Sequence, residues 1–363
     1  MATAREALIR SDLVMLGGSA VAVVASGVTH YAGAGAVLPF LFSAAAVALL
    51  AGLVGRSVEQ LGDRFGPGAT GVLQSALGNL PELFIALFAL KAGLVAVVQA
   101  ALVGSILANL LLVLGLAFLA GGLKHGRQNL DSERARQIIV FMVLSVAAML
   151  VPSLAHFVHT PAEAHESELS TIVSLVLLGL FAVTLPASLR RDRPAGGEAG
   201  EQNPAEGEEP RWPLWLAVAL LVVSAGLAAF VSDWFVAALA PAMDALSISQ
   251  AFAGLVVVAI AGNAVENVVG VQLALAGRSE YAFSVVINSP MQIALVLAPL
   301  LVILSQLFGF ATLTLVFPPL LIVSLIIAVV MAAFITFDGE STWMEGVALI
   351  ALYVVIATAF WWG

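Results

Sequence analysis

Apolar residues along this chain come in runs separated by short clusters of charge, glycine and proline. The runs are about 20 residues long, which suits helices crossing ~30 Å of hydrocarbon, whereas barrel strands alternate over about 10 residues. Read between the polar breaks, the pattern predicts eleven helices near residues 13–31, 36–55, 70–91, 94–120, 136–155, 170–189, 213–238, 249–276, 280–307, 310–335 and 344–362. The first run, after Arg5 and Arg10, continues from Leu13 to Tyr31, longer than the core of a signal peptide, and reads as an uncleaved span. Two runs are interrupted by residues that lipid does not welcome: "LGNLPELF" at 77–84 and "AGNAVENV" at 261–268.

Composition fixes the class. Of 363 residues, 61% are hydrophobic and 10% charged, against roughly 45–50% and about 25% in soluble domains. The fold class expected is an all-α integral membrane protein, whose one obligatory partner is the lipid bilayer. No polar stretch is long enough for a soluble catalytic domain, so an enzyme is not expected. There are no cysteines, which removes disulfides, thiolate metal sites and cysteine nucleophiles. The net charge of −9 lies mostly in loops and gives no reason to expect nucleic acid.

Charge also orients the spans. With the N-terminus in the cytoplasm, that side collects Arg5, Arg10, Arg56, Arg64, Lys124, Arg127, Arg134, Arg136, Arg190, Arg191, Arg193, Arg211 and Arg278, and the other side only Lys91. That asymmetry predicts a multi-pass protein of the cell (inner or plasma) membrane, with its C-terminus extracytoplasmic. Residues 155–169, with His156, His159, His165, Glu163, Glu166 and Glu168, read as an outer loop. Histidines at this irregular spacing do not by themselves make a metal site. Residues 190–212 are polar, rich in Gly and Pro and acidic toward their end, and read as a cytoplasmic linker.

The linker divides two related halves. A shift of 184 residues aligns Gly78-Asn79 with Gly262-Asn263, Glu82 with Glu266, Ala92-Gly93 with Ala276-Gly277, and Ser105 with Ser289. The third and eighth helices are five spans apart, so the second copy crosses the bilayer in the opposite direction, as in the inverted repeats of secondary transporters. The expected organisation is an N-terminal region with an extra first helix (1–35), a five-helix repeat (36–189), the linker (190–212) and a second five-helix repeat (213–363).

Glu82 and Glu266 fall about halfway along their spans, where a charge costs roughly 2.5–3.5 kcal/mol on insertion scales. Asn79 and Asn263, three residues earlier, share the glutamates' helix face. Pro81 and Pro290 disrupt helical hydrogen bonding, and Gly78 and Gly262 open both motifs. In the following helices, "GSILANLL" offers Ser105 and Asn109, and "INSPMQIA" offers Ser289 and Gln292. Gln74, Gln99, Gln272 and Asn288 read as packing or cavity lining. All these donors are oxygens, the preference of hard cations such as Ca²⁺, whereas softer metals favour imidazole or thiolate. Two carboxylates facing one cavity repel when both are ionised, and either one divalent cation or two protons relieves that repulsion. The expectation is Ca²⁺/H⁺ antiport, with Glu82 and Glu266 serving both ions and no cofactor. A cation channel also fits an oxygen-lined midplane, though broken helices in inverted repeats favour alternating access. An intramembrane hydrolase lacks a histidine at membrane depth beside Ser105 or Ser289. Homo-oligomerisation is left open.

At these residues the sequence resembles the calcium/cation antiporter superfamily, most closely its calcium/proton exchanger branch. The stretch "GNLPELFIALFALKAGLVAVVQAALVGSILANLLLVLG" carries that likeness over its whole length, and "GNAVEN" and "NSPMQI" carry it more loosely. The resemblance implies the 5+5 inverted fold, alternating access and Ca²⁺ bound by Glu82 and Glu266, assisted by Asn79, Asn263, Ser105, Ser289 and Gln292. Proton-coupled members usually have His directly after the second glutamate; here Asn267 stands there. "NLPE" leans toward the sodium/calcium exchangers, so exchange of Na⁺ for Ca²⁺, or of Na⁺ or K⁺ for H⁺, is the alternative coupling.

Overall fold

The computed structural model describes residues 8–65, 77–130, 132–191, 211–337 and 339–362. Among the described residues twelve helices dominate: α1 Arg10–Tyr31, α2 Val37–Phe65, α3 Leu80–Lys91, α4 Val95–His125, α5 Ser132–Phe157, α6 Glu166–Arg191, α7 Leu214–Leu246, α8 Gln250–Gly262, α9 Ala264–Leu275, α10 Ser279–Leu307, α11 Pro319–Thr336 and α12 Trp343–Trp361. Among the described residues nine helices are long and apolar enough to span a membrane, or ten when the bent pair α8 and α9 counts as one. The first part of the run expected at 70–91, up to residue 76, and linker residues 192–210 lie outside the described residues. Among the described residues a single two-residue ladder pairs Gln128–Asn129 with Glu340–Ser341.

The chain divides into two compact units, Met1–Ile85 with Gly179–Ala245, and Ala86–Leu178 with Leu246–Gly363. In the first, α1 packs along α2, and a polar clamp closes one end. Asp12, 1% exposed, accepts from Arg56 Nη1 at 2.5 Å and from the indole N–H of Trp212 at 3.3 Å. Trp212 is itself buried; its N–H donates to Gln60 Oε1 at 2.9 Å and its carbonyl accepts from Arg64 at 2.6 Å. A buried carboxylate is tolerable only when paired in this way.

The second unit is organised around α4, whose apolar residues are buried along most of its length. It meets α8 where a Cβ on Gly104 would strike the backbone of Leu255 and one on Gly254 would strike that of Val97. Small residues let two backbones touch there, the usual means of tight helix packing in lipid. Three π-helical stretches interrupt the α geometry, at Ala108–Val113, Ala253–Val258 and Ile293–Leu297. The first and last end 184 residues apart, the same offset that relates Ser105 to Ser289.

Two regions depart from the sequence expectation. The outer loop expected at 155–169 is mostly helical: α5 reaches Phe157, a 3₁₀ turn covers Pro161–His165, and α6 begins at Glu166. The tenth helix, expected from 310, begins only at Pro319, after a stretch in which residues 311–317 run without helical bonding. Its sequence "ATLTLVF" alternates, with Leu313, Leu315 and Phe317 buried and Pro318-Pro319 closing it. The side chains around it supply the missing partners. Ser305, Ser170 and Ser153 hydroxyls accept from the N–H groups of Leu313, Leu315 and Phe317 at 3.1, 3.0 and 2.9 Å. Ser153 Oγ donates to Leu315 O, and Gln99 Nε2 donates to the carbonyls of Thr314 and Val316. Irregular backbone in a membrane protein persists only where protein or water satisfies it in this manner.

Candidate functional site

The two Gly-Asn-x-x-Glu motifs fold alike. Gly78 and Asn79 form a turn before α3, and Gly262 and Asn263 form the break between α8 and α9, where the axis bends by 59°. In each copy the asparagine carbonyl accepts the first helical bond, from Leu83 N–H at 2.9 Å and from Asn267 N–H at 3.1 Å. The glutamates are thus third residues of twelve-residue helices rather than midpoints of long ones. Twelve residues span only about 18 Å, and the start of a helix carries the positive end of its dipole, so the sequence puts an acidic residue in the favourable first turn of each short helix. Each also ends alike: Gly93 and Gly277, with φ of 79° and 77°, follow matching reverse turns. There Leu94 N–H returns to Ala89 O and Arg278 N–H to Leu273 O. A positive φ is the reason glycine stands there.

Asn79 and Glu82 belong to the first unit, Glu82 with only 9% exposure. The side chain of Glu266 lies outside the described residues. Asn79 and Asn263 stand in the turns before the helices, so the helical face expected to join each to its glutamate is replaced by a capping position. Pro81 occupies the second position of α3, where its missing N–H costs nothing. Pro290 does not break its helix; Ser279–Gln292 runs through it, and the distortion follows as the π stretch from Ile293.

Within the second unit the structure gathers Ser105, Asn109, Asn263 and Ser289, all buried, into one polar network. Asn263 Nδ2 donates to Ser105 Oγ at 2.8 Å. Asn109 Nδ2 donates to Ser105 O and Asn263 Oδ1, both at 2.9 Å, and approaches Ser289 Oγ at 3.2 Å. Ser289 Oγ donates in turn to Asn263 Oδ1 at 3.2 Å. Asn109 lies in the first turn of its π stretch, whose wider turn holds it against α8 and α10. Its Oδ1 is buried without a hydrogen-bond partner among the described residues, as is Oδ1 of Asn267, which the sequence marked only as standing in the place of the usual His. Gln292 ends its α segment half-buried. Gln99 bonds the extended stretch, in keeping with a packing role. The network is neutral and oxygen-rich. Among the described residues no group of three or more His, Cys, Asp or Glu side chains is placed to hold a metal.

Fold and polar interior together define a predominantly helical, multi-pass membrane protein. The model of the sodium/calcium exchanger protein family matches residues 35–189 and 216–362, and the chain belongs to that family. It is 36% identical, over 91% of its length and 92% of the relative's, to the Ca²⁺/H⁺ antiporter of Synechocystis sp.. It is 34% identical, over 86% of its length and 88% of the relative's, to the Ca²⁺/H⁺ antiporter ChaA of Bacillus subtilis. The solved structure of native YfkE superposes with a TM-score of 0.81 at 29% identity, covering 96% of this chain and 99% of that one.

Proposed function

We propose that this protein is a secondary active antiporter that exchanges Ca²⁺ for H⁺ by alternating access, with Glu82 and Glu266 as the carboxylates that take up either load. The observation that carries the reading is the duplicated helix start: a Gly-Asn turn, then a glutamate at the third position of a twelve-residue helix, in both copies. An intramembrane carboxylate is a functional group by default, and a half-helix N-terminus is where such transporters gather charge. Ser105, Ser289, Asn109, Asn263, Asn79 and Gln292 supply neutral oxygens, suited to an ion that takes about 6–8 of them. The named activities of the antiporters from Synechocystis sp. and Bacillus subtilis support the ion pair chosen.

The same reading includes an inverted 5+5 core behind an extra first helix, with the N-terminus and the 190–212 linker cytoplasmic. It makes Ca²⁺ export, driven by proton entry, the direction of transport. Asn267, which carries no titrating group beside Glu266, favours one second reading, in which Na⁺ replaces H⁺.

Reconstitution into liposomes tests both. Ca²⁺ flux is followed under an imposed pH gradient and, separately, an imposed Na⁺ gradient. A pH gradient alone is expected to drive Ca²⁺ uphill. Flux driven only by Na⁺ moves the assignment to the second reading, and flux that neither saturates nor responds to a counter-ion overturns exchange altogether.

A further inference from the structure

Two features of the second unit lie one helical turn apart: the extended stretch 311–317 and a cluster of histidine and glutamate at the junction of α5 and α6. His156, in the last turn of α5, holds Glu166 Oε1, in the first turn of α6, at 2.5 Å from its Nδ1. Glu163 Oε1, from the intervening 3₁₀ turn, approaches the same nitrogen at 3.6 Å. His159 pairs with the other oxygen of Glu163 at 3.0 Å and is largely exposed. His165 and Glu168 complete the titratable groups of this corner. α11, packed against α5, carries no charged residue, and α10 brings only Glu280. That residue lies toward the opposite end of α5, since neighbouring Ser279 bonds Asn129, just before α5 begins.

Ser153 lies three residues before His156, and Ser170 lies four residues after Glu166. Residues at those spacings share a helix face. Ser153 and Ser170 are also the two hydroxyls that grip Leu315, one on its carbonyl and the other on its N–H. The His156–Glu166 contact therefore ties together the two helices between which the stretch is held. From its other side the stretch is bonded by Gln99, on the helix that carries Ser105 and Asn109.

We propose that His156, with Glu163 and Glu166, is a proton-responsive latch that sets how firmly residues 311–317 are seated. Imidazoles as a class change charge between roughly pH 5 and 8. With the ring neutral, Nδ1–H still donates to Glu166, but two carboxylates crowd an uncharged partner. A proton on the ring turns both approaches into ion pairs, α5 and α6 are drawn together, and the serines close on Leu315. Seating is thus firmer in mild acid and looser in alkali, until acid strong enough to protonate the carboxylates releases it again. In the proposed orientation the latch faces the side from which protons enter. The latch itself depends on neither the transported ion nor the sidedness.

Amide hydrogen exchange read by mass spectrometry on the purified full chain tests this, with each rate divided by that of an unstructured reference at the same pH. Peptides covering 311–317 are expected to gain protection by roughly two- to fivefold between pH 8.5 and pH 6, the scale of a partly exposed ion pair acting on a local opening. His156→Gln and Glu166→Gln are expected to abolish that dependence while peptides from α12 keep their wild-type protection, which shows that the variants fold. His159→Gln is expected to retain it. A wild-type profile flat with pH, or the same slope in His156→Gln, overturns the proposal; loss in His159→Gln alone overturns the assignment to His156. Because the readout is protection rather than transport, failure here and failure of the Ca²⁺/H⁺ reading are separate results.

Discussion

At the residue scale the proposed function turns on Glu82 and Glu266. If both bind the transported ion, Glu82→Gln and Glu266→Gln each lower Ca²⁺ flux in proteoliposomes by about tenfold or more, since a charge-assisted contact contributes about 1.5–3 kcal/mol. The loss is expected in both variants, because each copy of the motif supplies one carboxylate. Asn109 tests the neutral network. Removing its amide in Asn109→Ala takes a donor from Asn263 Oδ1 and Ser289 Oγ, for an expected loss of about 1–3 kcal/mol in thermal stability measured in detergent. Ser105→Ala removes one hydroxyl from Asn263 and leaves the Asn109–Ser289 contacts, so its effect is smaller than that of Asn109→Ala.

Elements show where a one-dimensional reading succeeds. A run of about 20 apolar residues has one outcome in lipid, because only a helix satisfies its own backbone there. Hence α1, α2, α4, α5, α7, α10 and α12 overlap the expected spans and differ mainly at their ends. The exception is instructive. "ATLTLVFPP" alternates with period two and ends in two prolines, a strand-like signal, yet it opens the apolar run that continues into α11. What decides the conformation is four side chains 8 to 217 residues away in sequence, Ser305, Ser170, Ser153 and Gln99. None of them looks unusual in its own helix. Likewise the motif residues were legible, but the π stretches that turn Asn109 toward Asn263 were not, since no residue type marks a π turn. Two element-scale predictions follow from these contacts. Gly104→Val forces apart α4 and α8, where backbone rather than a yielding side chain is the obstacle, and costs at least about 1–3 kcal/mol by thermal melting. Ser153→Ala leaves the N–H of buried Phe317 without its acceptor, for about 1–3 kcal/mol and faster amide exchange confined to 311–317.

For the molecule as a whole, the same twelve-residue helix, with the same entry turn and the same glycine exit, is written twice 184 residues apart. The first unit adds a clamp of its own. Asp12→Asn weakens the partnership with Arg56 and Trp212 and is expected to lower the melting temperature by an amount equivalent to about 1–3 kcal/mol, while leaving the ion preference of transport unaltered.

The extended stretch also constrains how the protein is made. Ser153 and Ser170 leave the ribosome 164 and 145 residues before the N–H groups they accept, and Gln99 leaves it 217 residues before the Val316 carbonyl it bonds. During synthesis these early helices enter the bilayer with polar groups whose partners do not yet exist. The stretch in turn arrives with no helical bonds of its own. It becomes stable only when at least four earlier helices already stand in place around it, so its docking is a late checkpoint of assembly. A chain interrupted before residue 311 has the four helices that supply Gln99, Ser153, Ser170 and Ser305 but lacks the stretch that those side chains hold.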